Sequence, residues 1–227
     1  MGLTDLITNA QPALAERGVA GPTYDRAALV PRVVHIGVGG FHRAHLAVYL
    51  HRLAAQGSDW GICGLGLLPA DAARAEALRA QAHLYTLTSK GSSERSTEII
   101  GSIIDFVHAP DDDEPAIERL GHADTAVVSL TITEAGYDDT PRNERTFDVI
   151  AAALERRRAT GRGGLTVLSC DNLPGNGDAA RRCVLAACAR LDPGLVDWVR
   201  ESCTFPNSMV DRITPVTSDA DRDYLAR

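Results

Sequence analysis

The sequence predicts an α/β fold, a doubly wound and mostly parallel sheet with helices on both faces. Two observations support this. Short apolar segments of strand character alternate with longer segments of helical spacing along the 227 residues, which is the pattern of parallel strands joined by helical crossovers. An apolar strand near Val33–Val38 also runs into a Gly-x-Gly turn at Gly37 and Gly39 and then into a helix. A Rossmann-type sheet begins in this way.

The pattern places strands and helices in order along the chain. Strands are expected near Val33–Val38, Gly61–Gly66, Leu84–Thr88, Ala126–Leu130 and Leu165–Ser169. Helices are expected at Phe41–Gln56, Asp71–Gln81, Asp113–Leu120, Asn143–Arg158 and Asp178–Arg190. Ser96–Val107 indicates an extended insertion of one or two strands, and its place in the sheet stays open. We expect residues 31–227 to form one domain after an N-terminal arm over residues 1–30.

Composition limits the partners and the compartment. A formal net charge of -7 and a pI near 5.5 argue against nucleic acid or a membrane as partner. The five cysteines lack C-x-x-C spacing, which is typical of reduced core thiols in a cytoplasmic protein. The segment from Met1 to Leu6 shows no secretory or acylation signal, and no apolar stretch is long enough to span a bilayer.

The turn after the first strand indicates a ligand site. Gly37 permits a tight turn, Gly39 lets a phosphate approach the backbone, and the next helix offers free N–H groups and a positive dipole end. His42 stands where the usual third glycine would be. The motif alone therefore leaves open an unrelated strand-turn-helix, but it predicts a dinucleotide whose pyrophosphate lies here.

An acidic residue after the second strand would select between the two nicotinamide cofactors. Asp71 is the candidate, because such a carboxylate binds the ribose hydroxyls of NAD and repels the extra phosphate of NADP. Asp71 could instead cap the next helix, and Arg74, one turn on, could bind a 2′-phosphate. We expect NAD as the cofactor.

Two groups of side chains could suggest a metal ion, and we expect none. His42 and His45 are three residues apart in a helical segment, but no third ligand is aligned with them. The acidic run Asp111–Glu114 has the wrong spacing for a calcium loop and precedes a helix, whose N-terminus favours acidic residues.

Polar residues follow two later strands at their carboxyl ends, the edge where open α/β sheets bind ligands. Thr133 and Glu134 follow one of these strands and Asn172 follows the other. An amide there can donate a hydrogen bond to an oxygen that becomes anionic as an alcohol loses its proton. The alternatives are an ordinary loop at Thr133 and Glu134 and an Asx turn at Asn172.

Four segments in a fixed order carry a resemblance to a known family. They are GVGGFHRAH (residues 37–45), SLTITEAGY (129–137), SCDNLPGNG (169–177) and FPNSMVDRITP (205–215). With them the chain resembles the polyol-specific long-chain dehydrogenases, the family of mannitol 2-dehydrogenase and the hexuronate reductases. Phe-His-Arg-Ala-His after the glycines is that family's form of the phosphate turn, so the missing third glycine fits.

The resemblance implies hydride transfer between NAD and a small-molecule polyol or ketose, such as mannitol or fructose, in a monomeric enzyme. The expected cofactor-binding residues are Gly37, Gly39, Gly40, Phe41, His42, Arg43, Asp71, Thr133 and Glu134. The resemblance implies that Asn172 donates to the alkoxide and that Asp211 contacts substrate or supports proton transfer, although Arg212 could pair with Asp211 instead. A hexuronate reductase and a non-catalytic, stand-alone nucleotide-binding module remain alternatives.

The general base is expected outside this chain. Family members carry a second, mostly helical domain that supplies a catalytic lysine in a Lys-x-x-x-x-Asn-x-x-His motif, which does not occur in this sequence. The single lysine, Lys90, lies beside Gly91-Ser92-Ser93 in what the pattern indicates is an exposed loop. We therefore expect the isolated chain to bind NAD without catalysing turnover.

Overall fold

The computed structural model describes residues 13–91, 95–138 and 141–226. Its strands are β1 (Val30–Ile36), β2 (Trp60–Gly66), β3 (Tyr85–Lys90), β4 (Arg95–Ile100), β5 (Ile103–His108), β6 (Val127–Leu130) and β7 (Thr166–Ser169). Its main α-helices are α1 (Gly40–Ala44), α2 (Leu46–Ala54), α3 (Ala72–Ala80), α4 (Glu114–Gly121), α5 (Pro141–Ala159), α6 (Asn176–Leu191), α7 (Pro193–Ser202) and α8 (Asp219–Ala226). The Met1–Leu6 segment, on which the expectation about targeting signals rests, lies outside the described residues.

Five strands form one parallel sheet in the order β5-β2-β1-β6-β7. From β1 the chain moves outward through β2 and β5, returns to the other side of β1, and moves outward again through β6 and β7. The order therefore reverses between β1 and β6, and such a reversal opens a crevice at the carboxyl ends of the strands. The doubly wound Rossmann-type fold is confirmed.

Neighbouring residues of the central strands pack on opposite faces of this sheet. Val33 and Ile62 belong to an apolar cluster on one face, together with residues of α2 and α3. Val34 and Cys63 belong to a larger cluster on the other face, together with residues of α4, α5, α6 and α7. Because helices cover both faces, each central strand is a nearly continuous apolar run in the sequence.

The strand expected at Leu84–Thr88 lies outside the parallel sheet, which corrects the sequence-based prediction. It is β3, and it pairs antiparallel with β4 in a separate two-stranded sheet. The expected insertion Ser96–Val107 contains β4 and then β5, the edge strand beside β2. Burial explains the division, because β3 and β4 are partly exposed and rich in polar residues whereas Ile103 and Phe106 of β5 are buried.

The single helix expected at Phe41–Gln56 is in fact two helices. They are separated at His45, whose φ of -118° and ψ of -95° lie outside the helical region. The sequence pattern also missed α7, which has Pro193 in its first turn. Asp192 caps α7 by accepting the Gly194 N–H at 2.9 Å.

The described part of the arm packs against the end of β4, the start of β5 and the connection between them. The Ile99 N–H donates to the Ala20 carbonyl at 2.8 Å. The Arg26 guanidinium donates to the carbonyls of Gly101 and Ile103, each at 2.9 Å. These contacts join the arm to the edge of the main sheet, and the division into an arm and one domain stays a prediction.

None of the five cysteines, which all lie in the described ranges, forms a disulfide, and burial raises the pKa of Cys63, Cys170 and Cys188 to about 12. Across the three described ranges, none of the helices is long and apolar enough to cross a membrane.

Candidate functional site

The carboxyl ends of three neighbouring strands bring the predicted site residues to one edge of the sheet. Backbone hydrogen bonds continue past the strand ends. The Thr131 N–H donates to the Ile36 carbonyl at 3.0 Å, and the Cys170 N–H donates to the Leu130 carbonyl at 2.8 Å. The turn after β1 and the loops after β6 and β7 therefore lie side by side.

The glycines of the turn after β1 have different structural requirements. Gly37 has a φ of +91°, and a Cβ atom added there would lie 2.2 Å from the Thr131 carbonyl oxygen, so the fold requires glycine. A Cβ atom added at Gly39 would meet nothing closer than 3.7 Å, and one added at Gly40 would meet nothing within 4 Å. Gly39 and Gly40 therefore leave open space in which a phosphate could approach the backbone.

The buried side chain of His35 supports this turn through hydrogen bonds. The Thr131 hydroxyl donates to the Gly37 carbonyl at 2.6 Å, and the Nε2 atom of His35 lies 2.9 Å from the same hydroxyl oxygen. Because the only hydroxyl proton of Thr131 is already used, counting donors assigns the ring proton of His35 to Nε2. The Nδ1 atom then accepts from the Ser129 hydroxyl at 2.8 Å. His35 thus joins the end of β1 to the end of β6.

His42 packs against His35 in the interior. The two rings stack with their centroids 3.4 Å apart, and His42 is only 1 % exposed. Burial lowers the pKa of His35 to about 3. Burial, and then the nearby His35 and Arg43, lower the pKa of His42 well below its usual value. Both rings are therefore neutral at pH 7, and a cofactor contact by His42 stays a prediction.

Arg43 faces a cleft of about 620 Å³ between α1, β3 and residues 212–217. Its guanidinium carbon lies 5.9 Å from the centre of the Tyr85 ring, and the Tyr85 hydroxyl donates to the Arg43 carbonyl at 2.6 Å. Phe41 stacks on His45, with their ring centroids 4.9 Å apart. The two contacts with Tyr85 of β3 hold the positively charged side chain of Arg43 beside the turn.

Asp71 lies against the carboxyl end of β2. A Cβ atom added at Gly66, the last residue of β2, would lie 2.6 Å from the Asp71 Cβ atom. The carboxylate accepts the Leu68 N–H at 3.1 Å, at the start of the short turn before α3, and lies 3.7 Å from the Arg74 guanidinium. Its hydrogen bond is thus made to that turn, and the ribose-binding role stays a prediction.

Sequence reasoning missed a buried carboxylate that joins the loops after β6 and β7. Asp171 is 7 % exposed. Its Oδ1 atom accepts the Thr133 N–H at 2.9 Å. Its Oδ2 atom accepts the Ile132 N–H at 3.1 Å and the Tyr137 hydroxyl at 2.7 Å. Burial raises the pKa of Asp171, and these hydrogen bonds oppose that rise.

The FPNS segment anchors the loop after β7. The Asn207 side-chain oxygen accepts the N–H groups of Gly177 at 2.8 Å and Asp178 at 3.2 Å, at the start of α6. The Ser208 hydroxyl donates to the Ser169 carbonyl, the last of β7, at 2.6 Å. This motif therefore has a structural role that its sequence did not reveal.

Asn172 and Asp211 are both exposed. Asn172 directly follows the buried carboxylate at the end of β7. Asp211 lies between Ser208, which is bonded to β7, and Arg212, whose guanidinium donates to the Ala44 carbonyl of α1. The chain therefore crosses the carboxyl edge of the sheet at Asp211. In the described structure Arg212 forms no ion pair with Asp211, so that alternative from the sequence is not realised.

Lys90 is the last residue of β3, which corrects its placement in a loop. It pairs with Arg95 across the hairpin, because the strand pairing extends further than the polar sequence indicated. Its ammonium group lies 2.6 Å from the Asp221 carboxylate of α8. Ser92 and Ser93 lie outside the described residues.

The described ranges contain no group of three His, Cys, Asp or Glu side chains that could hold a metal ion. The rings of the two histidines that are close in sequence have different neighbours. His42 stacks on His35, whereas His45 stacks on Phe41.

A comparison with protein-family models matches residues 31–226 to the mannitol dehydrogenase Rossmann domain. The chain belongs to this family. It is 42% identical to mannitol 2-dehydrogenase of Pyricularia oryzae in an alignment that covers 94% of this chain and 47% of the relative. It is 45% identical to mannitol 2-dehydrogenase of Aspergillus terreus in an alignment that covers 90% of this chain and 46% of the relative. The chain thus spans about half the length of these mannitol dehydrogenases.

Two solved structures of polyol dehydrogenases are similar to this mannitol dehydrogenase domain. The ternary complex of Pseudomonas fluorescens mannitol 2-dehydrogenase with NAD and D-mannitol superposes with a TM-score of 0.85 at 40% identity, covering 91% of this chain and 47% of that one. A substrate-free D-sorbitol dehydrogenase gives a TM-score of 0.84 at 36% identity, covering 91% and 48%.

Proposed function

We propose that this chain is the NAD-binding part of an NAD-dependent polyol dehydrogenase that interconverts a polyol such as mannitol and a ketose such as fructose. The observation that carries the proposal is the open turn at Gly39 and Gly40, beside the ends of β6 and β7. Membership of the mannitol dehydrogenase family supports it, as does the similarity to a structure that holds NAD and D-mannitol.

The residues at the turn fit a dinucleotide. Gly39 and Gly40 leave the backbone open to a pyrophosphate, Arg43 supplies a fixed positive charge, and Asp71 would bind the adenosine ribose and disfavour NADP. Bound NAD would accept the hydride from the alcohol carbon. Thr133 and Glu134, whose side chains are exposed in the neighbouring loop, would line the nicotinamide side.

Asn172 and Asp211 would act on the substrate. The exposed amide of Asn172 would donate to the substrate oxygen as negative charge develops there. Asp211, on the segment that crosses the edge of the sheet, would contact the substrate or support proton transfer. Neither supplies a strong base, and the ammonium group of Lys90 is bound to Asp221. The general base would therefore come from the part of the longer relatives that this chain does not match.

We also propose a substrate class, a cellular location and an assembly state. The similar proteins are named as mannitol or sorbitol dehydrogenases. These names support a polyol rather than a hexuronate as the substrate. The five cysteines form no disulfide in the described residues and four of them are buried, which supports a cytoplasmic location. A monomer is expected for the intact enzyme, without a nucleic acid, membrane or metal partner.

Activity assays test the proposal and separate it from a non-catalytic module. Residues 1–227 should bind NAD but show no turnover of mannitol or fructose, because the general base is proposed to come from the part of the longer relatives that this chain does not match. Adding the matching second half of a mannitol dehydrogenase relative, in the same chain, should restore turnover. Polyol oxidation by residues 1–227 alone, or no turnover by a folded, NAD-bound longer chain, would contradict the assignment.

A further inference from the structure

We propose that Asp171 is a positioning residue that sets the conformation of the Thr133–Glu134 loop and thereby shapes the nicotinamide side of the cleft. The inference rests on the proposed function, because it assumes that this loop faces the nicotinamide. Asp171 itself is buried and does not need to touch the cofactor. It would act through the three hydrogen bonds that it accepts from the neighbouring loop.

The donors around Asp171 require a carboxylate. Two backbone N–H groups, of Ile132 and Thr133, and the Tyr137 hydroxyl all point at its two oxygens. A carboxylate offers acceptor sites on both oxygens, whereas an amide has one oxygen and would turn an N–H₂ group toward a donor. Asparagine has the same shape but would leave at least one of these N–H groups without an acceptor.

The loop has a conformation that needs such support. Thr133 has a φ of +67°, which is disfavoured for a β-branched residue. Its N–H donates to Asp171 at 2.9 Å, and its carbonyl accepts the Gly136 N–H at 2.9 Å. Hydrogen bonds on both sides of Thr133 hold it in this conformation, and Glu134 follows directly.

Asp171 is itself fixed at the end of β7. Its backbone carbonyl accepts the Leu173 N–H at 3.0 Å and the Asn176 side-chain amide at 3.1 Å. Its carboxylate and backbone thus join two loops whose exposed residues, Glu134 and Asn172, are proposed to serve cofactor and substrate. One buried side chain therefore sets the relative placement of both loops.

Binding measurements on residues 1–227 test this role through a ratio of affinities. Calorimetry would compare NAD with ADP-ribose, which lacks the nicotinamide. Asp171→Asn should weaken NAD by about tenfold, because the Thr133–Glu134 loop would no longer be held in the conformation that faces the nicotinamide, and should leave the affinity for ADP-ribose within about twofold. Asp197→Asn, at an exposed carboxylate of α7 with 80% side-chain exposure, is the matched control and should change neither affinity.

A second variant covers the case in which Asp171→Asn does not fold. Tyr137→Phe removes one of the three donors and keeps the ring packed on Phe147. It should lower the ratio of NAD affinity to ADP-ribose affinity by less than Asp171→Asn does. Hydrogen exchange of the Thr133 amide should accelerate in Asp171→Asn by more than the loss of global stability accounts for. An equal loss of affinity for both ligands, or an unchanged ratio of the two affinities in a folded variant, would overturn the inference. If wild type binds neither ligand, the proposed function fails first.

Discussion

The turn after β1 and the pair of loops after β6 and β7 lie at the same edge of the sheet but are held in different ways. In the turn, the critical contact joins two backbones and depends on the absence of a side chain at Gly37. In the loop pair, the critical contact is the side chain of Asp171, which accepts hydrogen bonds from residues 34, 38 and 39 positions away.

This difference predicts different responses to substitution. A backbone contact at van der Waals distance cannot adapt to an added atom, so a change in the turn should disturb the fold or abolish binding. A hydrogen-bonded contact can be weakened one donor at a time, so a change in the loop pair should shift affinity or rate while the fold survives.

Gly37→Ala should have the largest effect on stability. The added Cβ atom would lie 2.2 Å from the Thr131 carbonyl oxygen, and alanine disfavours the positive φ, so unfolding free energy should fall by about 3 kcal/mol or more. Urea unfolding would measure it. Gly40→Ala, with nothing within 4 Å of the new atom, should stay within about 0.5 kcal/mol of wild type. Similar stability of both variants would refute the backbone contact.

Asn172→Ala should have the largest effect on catalysis. In a longer enzyme that contains this domain, kcat should fall on the order of 10²-fold or more, because a donor to the developing alkoxide is lost. The stability of the variant should be unchanged, since Asn172 is exposed. Steady-state kinetics would measure the loss, and an unchanged kcat would assign Asn172 to the turn alone.

The neutral pair of His35 and His42 should make the fold sensitive to acid. Below about pH 6.5 the two histidines of the unfolded chain take up protons that those of the folded chain do not. Their contribution to the free energy of unfolding is therefore fully present above that pH and is lost as the pH falls toward about 3. Each histidine contributes up to about 1.4 kcal/mol per pH unit. His42→Phe keeps a stacked ring without a titrating group and should reduce the slope. Equal slopes in urea unfolding of both proteins would contradict this.

Asp71→Ala should give the smallest effect. NAD affinity should fall on the order of fivefold as the contact with the ribose is lost, while NADP affinity stays the same or rises. Calorimetry with both cofactors would measure the preference, with Asp197→Ala as the control. An unchanged ratio of the two affinities would limit Asp71 to its hydrogen bond with Leu68.

The comparison also shows what the sequence could reveal. The turn at Gly37 was predictable because all of its signals are local. The separate hairpin of β3 and β4 was not, since a single strand pattern does not show which partner it takes. The helix break at His45 lacked a glycine or proline signal. The role of Asp171 was hidden because its partners lie in another loop, and only the pairing of β6 with β7 brings them together.

Binding of NAD to residues 1–227 and to two valine variants tests the central claim most directly. A Cβ atom at Gly39 meets nothing closer than 3.7 Å, and one at Gly163, in a distant loop, meets nothing within 4 Å, so both Gly39→Val and Gly163→Val should fold. Calorimetry should show NAD binding to wild type and Gly163→Val and none to Gly39→Val, whose side chain would block the pyrophosphate. Equal NAD affinity in all three proteins would contradict the assignment of this turn.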